Sequence, residues 1–315
     1  MVTDKNKQIF HLVLSGACAA GSLLIVYRAL DLWRARILKK HEQSGSNDEE
    51  RSHEKEESAS NHQGGPKASP LSSPVEIWNY DTTCDSRIAR FYRSHTIKPQ
   101  QLRPLPMDRP RLLVCHDMAG GYLNDKYIQG GRYDTAYRVF DWSIVDIFVY
   151  FGHTLLTIPP AGWVDVGHLN GVKVLGTFIT EWDEGAETCK AIFASEVTAE
   201  KTAWQMANIA QDFGFDGWLI NIENPILQSH IEFVKLFLQK LTQFSHQLNK
   251  HAQVIWYDSV TINGELKWQD RLNELNRPFF DLCDGLFTNY TWKEGYPAEG
   301  AAAAGARRRW DVYFG

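Results

Sequence analysis

From residue 112 onward the chain repeats one pattern: a short, almost unbroken apolar run, then a longer stretch with helical spacing. The runs are Leu112–Cys115, Ile144–Phe151, Val172–Thr180, Trp218–Ile222, Val254–Tyr257, Leu286–Tyr290 and Asp311–Phe314. A strand that is apolar at nearly every position is buried on both faces, and a sheet buried on both faces is a parallel one covered by helices. Two of the intervening helices have legible ends. Thr198 is suited to N-cap a helix through Asp212, with Gly214 at its left-handed C-terminal position. After the fourth run, Asn224-Pro225 offers an N-cap followed by proline at the first helical position. Ile231, Val234, Phe237, Leu238 and Leu241 then mark the apolar stripe of a helix within 226–250.

Seven such runs predict an α/β chain built as a (β/α)8 TIM-type barrel rather than an open doubly wound sheet. Gly120-Gly121, after the first run, lacks the later glycine and the helix opening of a dinucleotide loop. An eighth run is missing: Ala301–Ala304 and Arg307–Arg309 lead into Trp310–Gly315. The body, 75–315, is therefore expected to be a barrel of about seven strands, incomplete at its C-terminal end. Open strand edges promote association, so the chain alone is expected to be poorly soluble or inactive.

Ahead of this body lie two segments of different character. Ile9–Tyr27 is a 19-residue stretch without formal charge, about the length of a bilayer-spanning helix. Arg28, Arg34, Arg36, Lys39 and Lys40 follow it, opposed only by Asp31, which favours a cytoplasmic position for what comes next. Residues 1–40 thus read as a membrane anchor with a basic flank. The rival reading is a cleaved signal peptide ending near Ala17-Cys18-Ala19, although the apolar run continues through Leu23–Val26. Residues 41–74, from Glu42 through Asp48, Glu49 and Glu50 to Gly64-Gly65-Pro66 and Pro74, hold almost no large apolar side chain. They read as a disordered linker.

Composition excludes other classes. A net charge of −5 with no basic stripe speaks against a nucleic-acid partner. Cys18, Cys84, Cys115, Cys189 and Cys283 show neither metal-ligand nor redox spacing, so free thiols in a reducing compartment are expected. His116-Asp117 has no further ligands beside it and reads as a strand-end hydrogen-bonding pair. No metal and no cofactor is expected.

The fourth run carries the chemistry. In Asp216-Gly217-Trp218-Leu219-Ile220-Asn221-Ile222-Glu223, strand alternation puts Trp218, Ile220 and Ile222 under the helices. Leu219, Asn221 and Glu223 then face the barrel axis, with Glu223 at the carboxyl end, where barrel enzymes hold their chemistry. An inward amide and carboxylate are costly unless paired or used, and a structural hydrogen bond is the bland alternative. The spacing resembles the chitinase pattern Asp-Gly-x-Asp-x-Asp-x-Glu, but Leu219 and Asn221 replace two of its acids. A substrate-assisted reaction needs only one protein carboxyl: the sugar's 2-acetamido oxygen attacks the anomeric carbon, and the carboxyl serves first as acid and then as base. An Asn two residues earlier could orient the acetamide N–H.

Longer segments carry a more specific resemblance. Leu112–Gly131, Val149–Trp163, Val174–Glu184, Phe215–Asn224, Ile255–Val260, Leu266–Asp270 and Asp284–Trp292 resemble glycoside hydrolase family 85, the cytosolic endo-β-N-acetylglucosaminidases. That resemblance implies cleavage of the β-1,4 bond between the two core N-acetylglucosamines of N-glycans, on glycopeptides or free oligosaccharides, in the cytosol. It implies Glu223 as acid/base, Asn221 as the acetamide-orienting residue and Tyr257 as a residue holding the acetamido group. It implies Trp268 and Trp292 as aromatic positions along the glycan groove. Glu181, Trp182 and Asn289, at the carboxyl ends of runs three and six, are candidate substrate contacts. Family members complete the barrel and usually add β-rich domains, which this chain departs from. Two other readings stay open: a chitinase-like hydrolase, and a truncated, membrane-tethered glycan-binding protein without turnover.

Overall fold

The computed structural model describes residues 67–81, 102–127 and 136–315. The expected anchor at Ile9–Tyr27 and most of the linker lie outside the described residues. Among the described residues, no helix is long and apolar enough to cross a membrane. The linker expected through Pro74 stops earlier than composition suggests. Lys67 bridges to Tyr127, and Leu71 exchanges backbone hydrogen bonds of 2.9 and 3.0 Å with Leu156. Helix α1 (Pro74–Trp78), capped by Ser73, lies against the body through the Trp78 indole, which donates to Thr202 Oγ1 at 2.8 Å.

Seven parallel strands follow in sequence order: β1 (Leu113–Asp117), β2 (Ile147–Phe151), β3 (Lys173–Glu181), β4 (Gly217–Glu223), β5 (Gln253–Tyr257), β6 (Gly285–Thr288) and β7 (Val312–Phe314). Each pairs with the next, and a two-residue strand, Leu156–Thr157, runs antiparallel to β3. The connecting helices are α2 (Ala161–Leu169), α3 (Trp182–Ile192), α4 (Glu196–Phe213), α5 (Ile231–Leu248), α6 (Arg277–Phe280) and α7 (Tyr296–Arg308).

The core divides as strand alternation requires. Trp218, Ile220 and Ile222 belong to the outer layer between sheet and helices, with Phe237 of α5 and Met206 of α4. Leu219 belongs to the smaller inner cluster with Ile147, Val149, Leu175, Ile255, Phe287 and Tyr313. That cluster plugs the barrel, so the polar ends of the inner face sit on a packed floor rather than over a channel.

A repeated aspartate fastens the amino ends of the strands. Asp146 accepts the backbone N–H of Leu112, Asp216 that of Val174 and Asp284 that of Val254, at 2.9, 2.9 and 2.8 Å. In each case the acid's own N–H returns to the carbonyl of the same residue. The buried His168 completes the set at Asp216, 2.7 Å away. Asp216 is thus an anchor at the stable end of the barrel, remote from the carboxyl-end chemistry.

Gly217 shows why this anchor is followed by glycine. Its φ is +131°, and a Cβ there would overlap the carbonyl oxygen of Gln253 on the adjacent strand. Gly217→Ala is therefore expected to cost about 3 kcal/mol or more, from backbone strain plus a clash with immobile backbone. The midpoint of urea unfolding would show it, and an unchanged midpoint would contradict the account.

Two helix starts differ from expectation. Ser195, not Thr198, caps α4: its Oγ accepts the Thr198 N–H at 3.2 Å while Thr198 Oγ1 accepts the Ser195 N–H at 3.1 Å. This reciprocal box moves the start three residues earlier, and Gly214 ends the helix at φ +73° as expected. Asn224-Pro225 does not begin a helix. Asn224 is fully buried, and Ile226 gives its N–H to Gly264 O at 2.9 Å, tying this stretch to the loop after β5. α5 starts only at Ile231, and its expected apolar positions are all buried.

Candidate active site

The carboxyl ends of β3, β4, β5 and β6 hold most of the residues singled out above. Glu223 is the last residue of β4 and lies in register beside Glu181 of β3; Asn221 lies beside Ile179. Asn221 is 2% exposed, and its Nδ2 donates to Glu223 Oε1 at 3.1 Å. That bond fixes the amide's orientation. With its nitrogen turned to the carboxylate, Asn221 keeps its oxygen for another donor.

Tyr257 ends β5 on the same inner face and is 5% exposed. Its hydroxyl donates to Asn289 Oδ1 at 3.1 Å, and the Trp268 side chain lies close to the same hydroxyl. Burial first, and then the nearby Glu223 charge, pushes the Tyr257 phenol well above its ordinary range, so it stays protonated. Glu223, Asn221, Tyr257, Asn289 and Trp268 therefore form one connected neighbourhood.

Glu181 and Trp182 occupy its rim. Glu181 accepts from His153 Nδ1 at 3.1 Å, and Asp117 at the end of β1 stands 3.5 Å from the other ring nitrogen. The hydrogen bond to Glu181 holds the imidazole pKa above its usual value. His153 and Glu181, with Ile179, Trp182 and Glu184, line a cleft of about 290 Å³. Trp182 is 71% exposed and sits at φ +56°, an uncommon conformation for a bulky side chain. Such a conformation costs a bulky residue about 1–3 kcal/mol, so the surrounding fold must hold it there. Trp292 lies further out, donating its indole N–H to Gly315 O at 2.7 Å with its ring edge-on to Phe314.

His116 and Asp117 act as strand-end partners: Asp117 Oδ1 accepts the Ala119 N–H at 2.8 Å, and the His116 ring faces the Asp117 carbonyl at 3.2 Å. Among the described residues, no group of three or more His, Cys, Asp or Glu could hold a metal ion. Cys115, Cys189 and Cys283 are free thiols.

Sequence reasoning missed Tyr290, His153 and Asp270. Partial burial of its hydroxyl, followed by the Cys115 and Glu223 charges, pushes the Tyr290 phenol up to about 12, although the residue as a whole is 62% exposed. It follows Asn289 just past the end of β6, where strand alternation no longer predicts direction. His153 and Asp270 lie on loops, and their roles depend on which strand ends meet.

Residues 122–315 match the model of Glycosyl hydrolase family 85. The chain belongs to this family. It is 55% identical over 208 residues to cytosolic endo-beta-N-acetylglucosaminidase 1 of Arabidopsis thaliana, covering 66% of this chain and 30% of that protein. Identity to the cytosolic endo-beta-N-acetylglucosaminidase of Homo sapiens is 50% over 213 residues, covering 67% of this chain and 28% of that one. The chain thus spans about 30% of the length of these curated relatives. Among solved structures, the glycoside hydrolase domain of Endo-D from Streptococcus pneumoniae R6 superimposes with a TM-score of 0.63 at 20% identity, covering 79% of this chain and 42% of that chain. At that identity the likeness concerns the fold, and it agrees with the family 85 barrel described above.

Proposed function

We propose that this family 85 chain carries the chemistry of an endo-β-N-acetylglucosaminidase, which cleaves the GlcNAc-β-1,4-GlcNAc core bond of N-glycans, on glycopeptides or free oligosaccharides, in the cytosol. The observation that carries the reading is the Asn221–Glu223 pair, 3.1 Å apart at the carboxyl end of a buried inner-face strand. The relatives' printed names supply the substrate class.

The reaction runs with one protein carboxyl. The 2-acetamido oxygen of the sugar on the cleaved side attacks C1, and the C1–O bond to the second sugar breaks. Protonated Glu223 gives its proton to the departing oxygen. Because Oε1 accepts from Asn221, the transferable proton sits on Oε2. Asn221 Oδ1 accepts the acetamide N–H and stabilises the positive charge that develops in the oxazolinium ring. Glu223, now a carboxylate, takes a proton from water; the water oxygen attacks C1, the ring reopens, and configuration is retained. Tyr257 borders the acetamido group, while Trp268, Trp292, Trp182, Glu181 and Asn289 contact the remaining glycan.

Leu219 separates this reading from a chitinase-like one. It is fully buried in the barrel floor, where the chitinase pattern has an acid. A high-mannose glycopeptide is expected to be cleaved at least about 100-fold faster than a chitooligosaccharide of equal concentration, a difference of about 3 kcal/mol in transition-state binding. Comparable rates, measured by product chromatography, would overturn the substrate assignment.

A further inference from the structure

The Tyr257 hydroxyl is governed by a residue that does not touch it. Asp270 sits in the loop after β5 at φ +57°, a left-handed conformation that Asp tolerates better than most residues. Its Oδ1 accepts from Asn289 Nδ2 at 2.8 Å, from Thr291 Oγ1 at 2.8 Å and from the Thr291 N–H at 3.3 Å. Asp270 is itself held by the buried Asp258, whose Oδ2 accepts the Asp270 and Gln269 N–H groups at 2.7 and 3.0 Å. Asn276 Nδ2 donates to the other Asp258 oxygen at 2.8 Å.

These bonds leave one arrangement open. A carboxylate can only accept, so the end of Asn289 that meets Asp270 must be its NH2 group. Thr291 gives its hydroxyl proton to Asp270, so toward Asn289 it too is an acceptor, 3.2 Å away. The Asn289 carbonyl oxygen therefore faces Tyr257, and the phenol must donate to it. We infer that Asp270 is a positioning residue that, through Asn289, fixes both the place of the Tyr257 hydroxyl and the direction of its proton. The inference rests on the reading of Tyr257 as a neighbour of the acetamido group. Losing the charge at Asp270 lets Asn289 turn over, and the hydroxyl then presents a different polarity to the substrate.

The test is a double-mutant cycle in the full chain with Asp270→Asn and Tyr257→Phe. Its readout is calorimetric binding of a glycan thiazoline, the unreactive sulfur analogue of the cyclised intermediate. Asp270→Asn is expected to weaken binding about 10-fold in the Tyr257 background and less than about 2-fold once the hydroxyl is gone. Where turnover is measurable, kcat is expected to fall by a similar factor while KM changes less than about 3-fold. Equal losses in both backgrounds, as from a loop that has merely loosened, overturn the inference. Asp270→Gly, which tolerates the left-handed backbone there, carries the same cycle if Asp270→Asn does not fold. Because binding is read separately from hydrolysis, failure of this inference is distinguishable from failure of the assigned reaction.

Discussion

Replacing Glu223 by Gln is expected to lower hydrolysis of a high-mannose glycopeptide about 1,000-fold or more, which corresponds to about 4 kcal/mol of barrier. Gln keeps the shape and can still accept from Asn221, but it has no proton to give to the departing oxygen and cannot take one from water. Thiazoline binding should change less than about 3-fold, because the positively charged ring is held by Asn221 and its neighbours rather than by proton transfer. The paired result matters more than either half. Turnover lost with binding kept identifies an acid/base, whereas both lost together would describe a broken site. Near-normal hydrolysis by the variant would remove Glu223 from the mechanism.

Asn221→Ala should be the second most severe change, lowering glycopeptide hydrolysis about 100- to 1,000-fold. It removes the acceptor for the acetamide N–H and leaves Glu223 Oε1 without the N–H it receives at 3.1 Å. The two variants part company when a preformed glycan oxazoline is supplied as donor. Asn221→Ala should still pass the glycan to a GlcNAc acceptor, because formation of the ring, the step that needs the amide, has already happened. Glu223→Gln should not, because the acceptor hydroxyl still needs a base. Mass spectrometry of the transfer product distinguishes these outcomes, and equal loss in both variants would place Asn221 and Glu223 in the same step.

The parts of this site that were legible in the sequence are those set by local geometry. Alternation along 217–223 sorts Trp218, Ile220 and Ile222 from Leu219, Asn221 and Glu223, because a strand turns over every residue whatever lies around it. The structure places Trp218, Ile220 and Ile222 in the outer cluster and Leu219 in the inner one. Near-continuous apolar runs identified the parallel sheet, because helices cover its outer face and the barrel fills its inner one. Strand ends were less legible. Ile144–Asp146 read as strand, yet the Asp146 side chain is spent on the Leu112 N–H and on Arg109, so β2 starts at Ile147. Asn224-Pro225 read as a helix start because its tertiary partner, Gly264, lies far along the chain. For the same reason the fastening aspartates, the His153 bridge and the Asp270 relay were not visible: each needs the register between strands or the path of a loop, which no local pattern encodes. Asp258 illustrates the cost of such a relay, since burial raises its carboxyl to about 6 despite three donated hydrogen bonds.

The central claim is that one carboxyl suffices because the substrate's acetamide is the nucleophile. It is tested most directly by measuring the cleavage rate of glycopeptide cores whose cleaved-side acetamide methyl bears zero, one, two or three fluorines. Each fluorine weakens the amide oxygen as a nucleophile while barely changing its size. The account predicts that the rate falls steeply and steadily along the series, by orders of magnitude in total. A flat series would mean that a group on the protein attacks C1, and would contradict it.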